Sequence, residues 1–314
     1  MRGQPSLCEV RSPESLAEAL DWLAAEPDLR PIAGGTDLMV PFAAGTLKDT
    51  RFLNLWGLPE LRGIEVSDRT LILGALTTYT DLRSHPLIAE VFPNLVRSAE
   101  VTGAPAIQNR GTLGGNLVNG SPAGDSLPSL LAYDADVELR STKGARWVSY
   151  AAFHTGYKRN LLLPGELLTR ILLRKPEAGA GAEAHGAKHR PQGAEQEARH
   201  DRSGFHYFRK VGTRAAQAIA KVSLALHAQV KDGQLSTFRL ALGAVAPVPL
   251  RAAQVEALLR GELLEGLRVR DALAALQEDI APIDDIRSTA QYRRKVAGNL
   301  LEEALTKLLK EHRA

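Results

Sequence analysis

The stretch with the clearest capacity for chemistry runs from Gly111 to Asp125 and reads GTLGGNLVNGSPAGD. Gly114 and Gly115 lack Cβ atoms, so the backbone there is free to adopt positive φ and to lie close to a ligand. Consecutive N–H groups in such a turn form a concave anion site, usually for phosphate. Hydroxyl and amide side chains add hydrogen bonds, and Asp125 adds a carboxylate. The stretch therefore predicts a phosphate-binding loop.

An earlier segment, Pro31–Leu38, has the same character, because Gly34 and Gly35 follow a short apolar run. Either Gly-Gly pair alone is consistent with an ordinary turn. Two such turns indicate one ligand with more than one phosphate, held from two sides. Neither segment contains the GxxxxGK[ST] pattern of a P-loop or the GxGxxG pattern of a Rossmann fold. These two nucleotide-binding classes are excluded for both segments.

The composition limits the classes of protein to which the chain can belong. The chain has 314 residues, of which 44% are hydrophobic and 24% charged, as in a globular protein of two or three domains. The formal net charge of +3 is too small to indicate nucleic acid or an anionic membrane as a partner. There is no bilayer-spanning apolar run and no signal sequence, so we expect a cytoplasmic protein without membrane insertion. Cys8 is the only cysteine, which excludes an intramolecular disulfide and a cluster held by several thiolates of this chain.

Hydrophobic periodicity predicts the elements that position the two segments. We expect helices at residues 13–25, 126–132, 250–260, 266–277 and 288–310, and a helical region at 79–100 interrupted by two prolines. A short strand at residues 30–33 leads into the first glycine turn. Alternation from Val222 to Val230, followed by Asp232-Gly233, predicts a β-hairpin. Strands and helices in separate runs are typical of an α+β fold.

Residues 176–204 lack apolar periodicity, and their composition predicts a flexible insertion. The insertion contains His185, His189 and His200. Their irregular spacing favours a solvated loop over a metal site, so no metal ligand is assigned.

Together these segments resemble the FAD-binding medium subunit of the molybdenum hydroxylases, a family that includes xanthine dehydrogenases, carbon monoxide dehydrogenases and aldehyde oxidoreductases. Residues 33–38 resemble the first flavin loop of that family, and residues 112–116 with Asp125 resemble the second. The further matching runs are residues 156–158, 163–168, 210–214, 219–222, 242–247 and 285–293. The resemblance covers nearly the whole chain apart from the insertion.

The resemblance implies an α+β protein in which a two-lobed PCMH-type FAD-binding domain precedes a C-terminal domain of three-stranded antiparallel sheet plus helices. The expected boundaries are 1–58 for the first FAD-binding lobe, 59–175 for the second lobe, 176–204 for the insertion and 205–314 for the C-terminal domain. A break near residue 200 also follows from the periodicity alone.

The resemblance implies cofactor contacts and no catalytic residue of this chain. Residues 32–38 and 112–116 would wrap the FAD pyrophosphate with their backbone N–H groups. Asp125 would fix the adenosine end of the cofactor. Leu168 would lie against the adenine or the flavin ring, and Lys210 would reach the cofactor from the C-terminal domain. The full set of expected contacts is Ile32, Ala33, Gly34, Gly35, Thr36, Asp37, Leu38, Thr112, Gly114, Gly115, Asn116, Asp125, Leu168 and Lys210. Many family members read Gln-Ile-Arg-Asn before the second loop, whereas residues 106–109 read Ala-Ile-Gln-Asn here.

The function implied by the resemblance is electron transfer. Electrons would pass from [2Fe–2S] clusters of a small partner subunit to FAD in this chain and then to an external acceptor. A large molybdopterin-binding subunit would oxidise the substrate, and the assembly would be a heterotrimer or a dimer of heterotrimers. The substrate and the acceptor are not defined by this chain. Two other hypotheses are a self-contained flavin oxidase with a related FAD clasp and a non-catalytic scaffold subunit.

Overall fold

The computed structural model describes residues 5–176 and 204–312, so most of the predicted insertion and its three histidines lie outside the described residues. Within the described part, helices and sheets form an α+β arrangement around three hydrophobic cores. No helix of the described residues combines the length and apolarity needed to cross a membrane.

The first part of the chain is a three-stranded parallel sheet with strand order β1-β3-β2. Its elements are β1 (Glu9–Arg11), α1 (Leu16–Ala25), β2 (Arg30–Ile32), α2 (Met39–Ala43) and β3 (Arg51–Asn54). The predicted start of α1 at residue 13 is wrong, because the Ser15 hydroxyl caps the helix by accepting from the Glu18 amide at 3.2 Å. The first glycine segment connects β2 to α2.

The middle part is a five-stranded antiparallel sheet with strand order β4-β5-β10-β6-β7. Its strands are β4 (Ile64–Val66), β5 (Thr70–Gly74), β6 (Asp136–Ser141), β7 (Gly144–Ser149) and β10 (Leu167–Arg174), with β8 (His154–Gly156) and β9 (Arg159–Asn160) as a separate pair. Its helices are α3 (Tyr79–Ser84), α4 (Pro86–Val91), α5 (Pro93–Glu100), α6 (Pro105–Gln108), α7 (Leu113–Asn119), α8 (Leu127–Ala132) and α9 (Tyr150–Phe153). The predicted interruptions at Pro86 and Pro93 are confirmed, since each proline begins a new helix.

The last part is an antiparallel sheet of three long strands and one short strand, covered by three helices. The strands are β11 (Phe205–Val211), β12 (Val222–Lys231), β13 (Gln234–Gly243) and β14 (Leu250–Arg251), and the helices are α10 (Ala253–Leu259), α11 (Val269–Asp279) and α12 (Ala290–Glu311). The hairpin predicted at Asp232-Gly233 is confirmed, and both turn residues have positive φ. The end of this sheet contacts the second glycine segment, because the Ala244 amide donates to the Pro122 carbonyl at 2.7 Å.

Candidate functional site

The two glycine segments lie in direct contact. A Cβ atom added at Gly34 would overlap the carbonyl oxygen of Arg110, the residue that precedes the second segment. The Leu55 amide donates to the Ile32 carbonyl at 2.9 Å, which ties the start of the first segment to the end of β3. The prediction that the two turns face one site is therefore consistent with their positions.

The first glycine segment provides a run of available N–H groups. Gly35 has φ of +74°, a conformation that residues with a Cβ rarely adopt, and its carbonyl accepts from the Met39 amide at 2.9 Å. The backbone N–H groups of residues 34–38 donate to no acceptor among the described residues. Consecutive unpaired N–H groups form an anion site, so this loop has the geometry expected of a phosphate cradle.

The second glycine segment is not a turn, which corrects the sequence-based expectation. Residues 113–119 form α7, and neither Gly114 nor Gly115 has positive φ. A Cβ atom on Gly114 would lie 2.7 Å from the Ala75 carbonyl oxygen and Cβ, so this glycine allows the helix to pack closely on the chain after β5. The left-handed Gly120, with φ of 60°, ends the helix.

Most N–H groups at the start of α7 already have acceptors. The Leu113 amide donates to the Thr77 carbonyl, the Gly114 amide to the Ala75 carbonyl, and the Gly115 amide to the Thr112 hydroxyl at 3.1 Å. The pyrophosphate contact expected from these amides stays a prediction, and the available donors favour the first segment. The Asn116 side chain is oriented by Ser126, whose hydroxyl donates to the Asn116 Oδ1 at 2.7 Å.

Gly115 lies on the exposed side of α7, and a Cβ added there would lie 2.8 Å from the Thr112 hydroxyl. We expect Gly115→Val to weaken FAD binding about tenfold, because the new side chain occupies the surface where the resemblance predicts the cofactor and displaces the helix cap. Thr112→Ala removes the cap without adding atoms, and it should cost about 1 kcal/mol of stability with a smaller change in affinity. Titration of each apo variant with FAD, beside thermal unfolding, measures both effects. Equal affinity of Gly115→Val and the wild type would contradict the assignment of this surface to the cofactor.

Asp125 and Lys210, predicted separately, form one buried ion pair. The Lys210 Nζ lies 2.6 Å from the Asp125 Oδ2 and donates to the Val101 carbonyl at 3.0 Å. The Lys210 side chain is 2% exposed and that of Asp125 9%, so the alternative of a solvated surface lysine is wrong. The pair joins the end of β11 to the loop after α7.

One carboxylate oxygen of Asp125 lacks a hydrogen-bond partner among the described residues. Thr102 and Lys210 both contact Oδ2, whereas Oδ1 is buried without a hydrogen-bond partner among the described residues. Burial raises the pKa of Asp125 to about 6, although the Lys210 ammonium opposes this shift. A buried unpaired carboxylate oxygen is costly, so Oδ1 fits the role of acceptor for a ligand hydroxyl.

The raised pKa of Asp125 predicts a pH dependence of stability. Because the folded-state pKa of about 6 lies above the ordinary aspartate value of 3.8, the stabilising contribution of this group is full below about pH 4 and is lost as pH rises through 6. Relative to the Asp125→Asn/Lys210→Met double variant, the wild-type free energy of unfolding should fall by roughly 2 to 3 kcal/mol across this window. Chemical denaturation of both apo proteins from pH 4 to 8 measures the difference. If the difference in free energy of unfolding between the two proteins does not change with pH, Asp125 does not titrate in this range.

The remaining expected contacts have different surroundings. Leu168 is 5% exposed and lies in the central hydrophobic core beside a β-bulge, so its contact with a ring stays a prediction. Asp37 is exposed, and its carbonyl accepts from the Val40 amide. Thr102, Ser126 and Arg110 also neighbour the site and were not predicted from the sequence. Two of them had a sequence signal, because Ser126 directly follows Asp125 and Arg110 directly precedes Gly111.

The departure at residues 106–109 has a structural counterpart. Gln108 is 3% exposed, and its amide group donates to the carbonyls of Glu100 and Thr102 at 3.3 and 3.0 Å. The Arg83 guanidinium donates to the Gln108 Oε1 at 2.6 Å. The glutamine thus holds the chain around residues 100–102, next to the hydroxyl that contacts Asp125.

Comparisons with known proteins assign the family. The model of the "FAD binding domain in molybdopterin dehydrogenase" matches residues 6–175, which is more than half of the chain. The chain belongs to this FAD-binding family. The model of the "CO dehydrogenase flavoprotein C-terminal domain" matches residues 206–308. The resemblance predicted from the sequence is confirmed, and so are the α+β fold and the assignment to oxidoreductase subunits.

Relatives of this family member align with more than nine-tenths of the chain. The xanthine dehydrogenase FAD-binding subunit of Escherichia coli O157:H7 is 29% identical over 294 residues, covering 93% of this chain and 92% of the relative. The carbon monoxide dehydrogenase medium chain of Afipia carboxidovorans is 29% identical over 303 residues, covering 96% of each. A chain of the reconstituted CO dehydrogenase from Oligotropha carboxidovorans superimposes with a TM-score of 0.84 at 26% identity, covering 99% of both chains.

Proposed function

We propose that this chain is the FAD-binding electron-transfer subunit of a molybdenum hydroxylase. It takes electrons from the [2Fe–2S] clusters of a small partner subunit and passes them from FAD to an external acceptor. A large molybdopterin-binding subunit carries out substrate oxidation, in a heterotrimer or a dimer of heterotrimers. The observation that carries the proposal is the run of unpaired N–H groups at residues 34–38, which lies against the second glycine segment.

The residues of the site fit FAD at both ends. The N–H groups of the first segment suit a pyrophosphate, and the unpaired Oδ1 of Asp125 suits a ribose hydroxyl. Lys210 places one buried positive charge beside Asp125, where it stabilises the carboxylate. Bound flavin supplies a redox centre that exchanges electrons one or two at a time. The protein residues contribute binding and orientation, and no residue of this chain is assigned to substrate chemistry.

The first experiment is to purify the chain alone and together with its partner subunits. We expect about one FAD per chain in both preparations. In the assembled complex, anaerobic addition of the substrate should bleach the flavin absorbance, whereas the isolated chain should show no bleaching. A folded chain that neither contains nor takes up FAD would refute the proposal. Bleaching in the isolated chain would support the flavin oxidase instead.

A self-contained flavin oxidase with a covalent flavin link needs an available nucleophile near the cofactor. His154 contacts α7 through its Nε2, which lies 2.8 Å from the Leu117 carbonyl oxygen. Burial lowers the pKa of His154, so the neutral ring donates this hydrogen bond. The Nε2 is therefore engaged by the backbone of α7, and the flavin-bleaching experiment separates the electron-transfer function from a self-contained oxidase.

A scaffold subunit would retain the fold without using the cofactor. The buried Asp125–Lys210 pair and the unpaired Oδ1 favour a working site, since a vestigial site would not preserve a costly unpaired oxygen. Loss of FAD from the assembled complex should therefore abolish electron delivery to the external acceptor. Unchanged turnover after FAD loss would favour the scaffold.

A further inference from the structure

Trp56 has two guanidinium groups stacked on its indole ring. The Arg110 Cζ lies 3.7 Å from the ring centroid, and the Arg62 Cζ lies 4.3 Å from it. Both distances are within the range of a cation–π interaction. Trp56 follows the end of β3, and Arg110 directly precedes the second glycine segment.

The two stacking partners of Trp56 differ in what they connect. Arg62 is local, because its Nη2 also donates to the Trp56 carbonyl at 2.8 Å. Arg110 comes from the loop between α6 and α7. Its carbonyl contacts Gly34, and its side chain crosses to Trp56, whose neighbour Leu55 donates to Ile32 at the start of the first glycine segment. Arg110, which precedes the second segment, therefore contacts both the first glycine segment and the residue that lies just beyond β3.

We propose that the Trp56–Arg110 stack is a clasp that holds the two glycine segments together and thereby slows the release of FAD. This inference rests on the proposed function. Arg110 is a positioning residue, since it acts through the contact of its backbone with Gly34. The side chain of Arg110 is exposed and that of Trp56 is half-buried, so substitutions there leave the hydrophobic cores intact.

The test is the rate of FAD release from the full chain, followed by the fluorescence of the freed flavin, for Arg110→Ala, Trp56→Ala and the double variant. Each single variant should release FAD about 2- to 5-fold faster, and the double variant no faster than the faster single variant. Arg110→Lys and Trp56→Phe keep a cation and a ring, respectively, and should recover most of the slow release. Arg62→Ala is the matched control, because its stack is local, and its rate should stay near that of the wild type.

A second readout does not depend on FAD. The amides of Met39, Leu55 and Gly111 donate to the carbonyls of Gly35, Ile32 and Ile107, so their hydrogen exchange reports on both segments. In the ligand-free chain, exchange should accelerate in Arg110→Ala and Trp56→Ala but not in Arg62→Ala. The clasp would be overturned if the rate increases of the two single variants, in FAD release or in hydrogen exchange, add in the double variant. It would also be overturned if Arg62→Ala raises these rates as much as Arg110→Ala does. A wild-type chain that takes up no FAD refutes the proposed function, and the exchange rates then decide the clasp alone.

Discussion

Gly34→Ala is expected to lower the affinity for FAD roughly 100-fold, which corresponds to about 3 kcal/mol. The added Cβ would overlap the carbonyl oxygen of Arg110, a backbone atom that has no side-chain rotation available to move it aside. Relief therefore requires the two glycine segments to separate, which displaces the N–H groups of residues 34–38. Equilibrium titration of the apo protein with FAD, together with thermal unfolding, measures the binding loss and any loss of stability.

Gly57→Ala is the matched control for Gly34→Ala. Gly57 is exposed just beyond β3, and a Cβ added there would meet no heavy atom of the described residues within 4 Å, apart from its two chain neighbours. This variant should bind FAD and unfold like the wild type, since it adds the same methyl group in open space. Wild-type affinity in Gly34→Ala would show that contact between the two segments is not required for the cofactor.

Lys210→Met is expected to lower the free energy of unfolding by about 3 to 5 kcal/mol, because it leaves the buried carboxylate of Asp125 without its counter-ion. The Asp125→Asn/Lys210→Met double variant should lose less, since both charges are removed together. The same single variant should also retain less FAD, because Lys210 holds the residue assigned to the adenosine end. Chemical denaturation and the flavin content of the purified chain measure these effects.

Lys307→Met provides the comparison for an exposed pair. Lys307 lies 2.8 Å from Glu303, and their side chains are 53% and 33% exposed. Its removal should change the free energy of unfolding by about 1 kcal/mol or less. If Lys210→Met and Lys307→Met destabilise the protein equally, the buried pair is not a stabilising link between β11 and the loop after α7.

The paired arrangement of Asp125 and Lys210 changes how their roles are understood. Each was expected to contact the cofactor independently, yet a single carboxylate oxygen accepts from both Lys210 and Thr102. The second oxygen is buried and has no hydrogen-bond partner among the described residues. The lysine therefore contributes by fixing the position of the carboxylate, and the C-terminal sheet becomes part of the site through this contact.

Several features of this protein were determined by the sequence alone. The Gly35 turn, the proline-broken helices and the Asp232-Gly233 hairpin are local, because their conformations depend on residues that are adjacent in the chain. The family resemblance followed from several separated motifs in the expected order. Because the chain has a single cysteine, the sequence also excluded a cluster held by several thiolates of this chain.

The tertiary structure decided what depends on distant residues. Gly114 and Gly115 form a helix instead of a turn, because Thr112 caps it and the chain after β5 packs closely against Gly114. The Asp125–Lys210 pair and the Trp56–Arg110 stack join residues far apart in the chain. No local pattern encodes such contacts, since their partners meet only when the three sheets pack together. Glycine spacing therefore predicted a phosphate-bearing ligand, while packing determined which N–H groups and which carboxylate oxygen remain available to it.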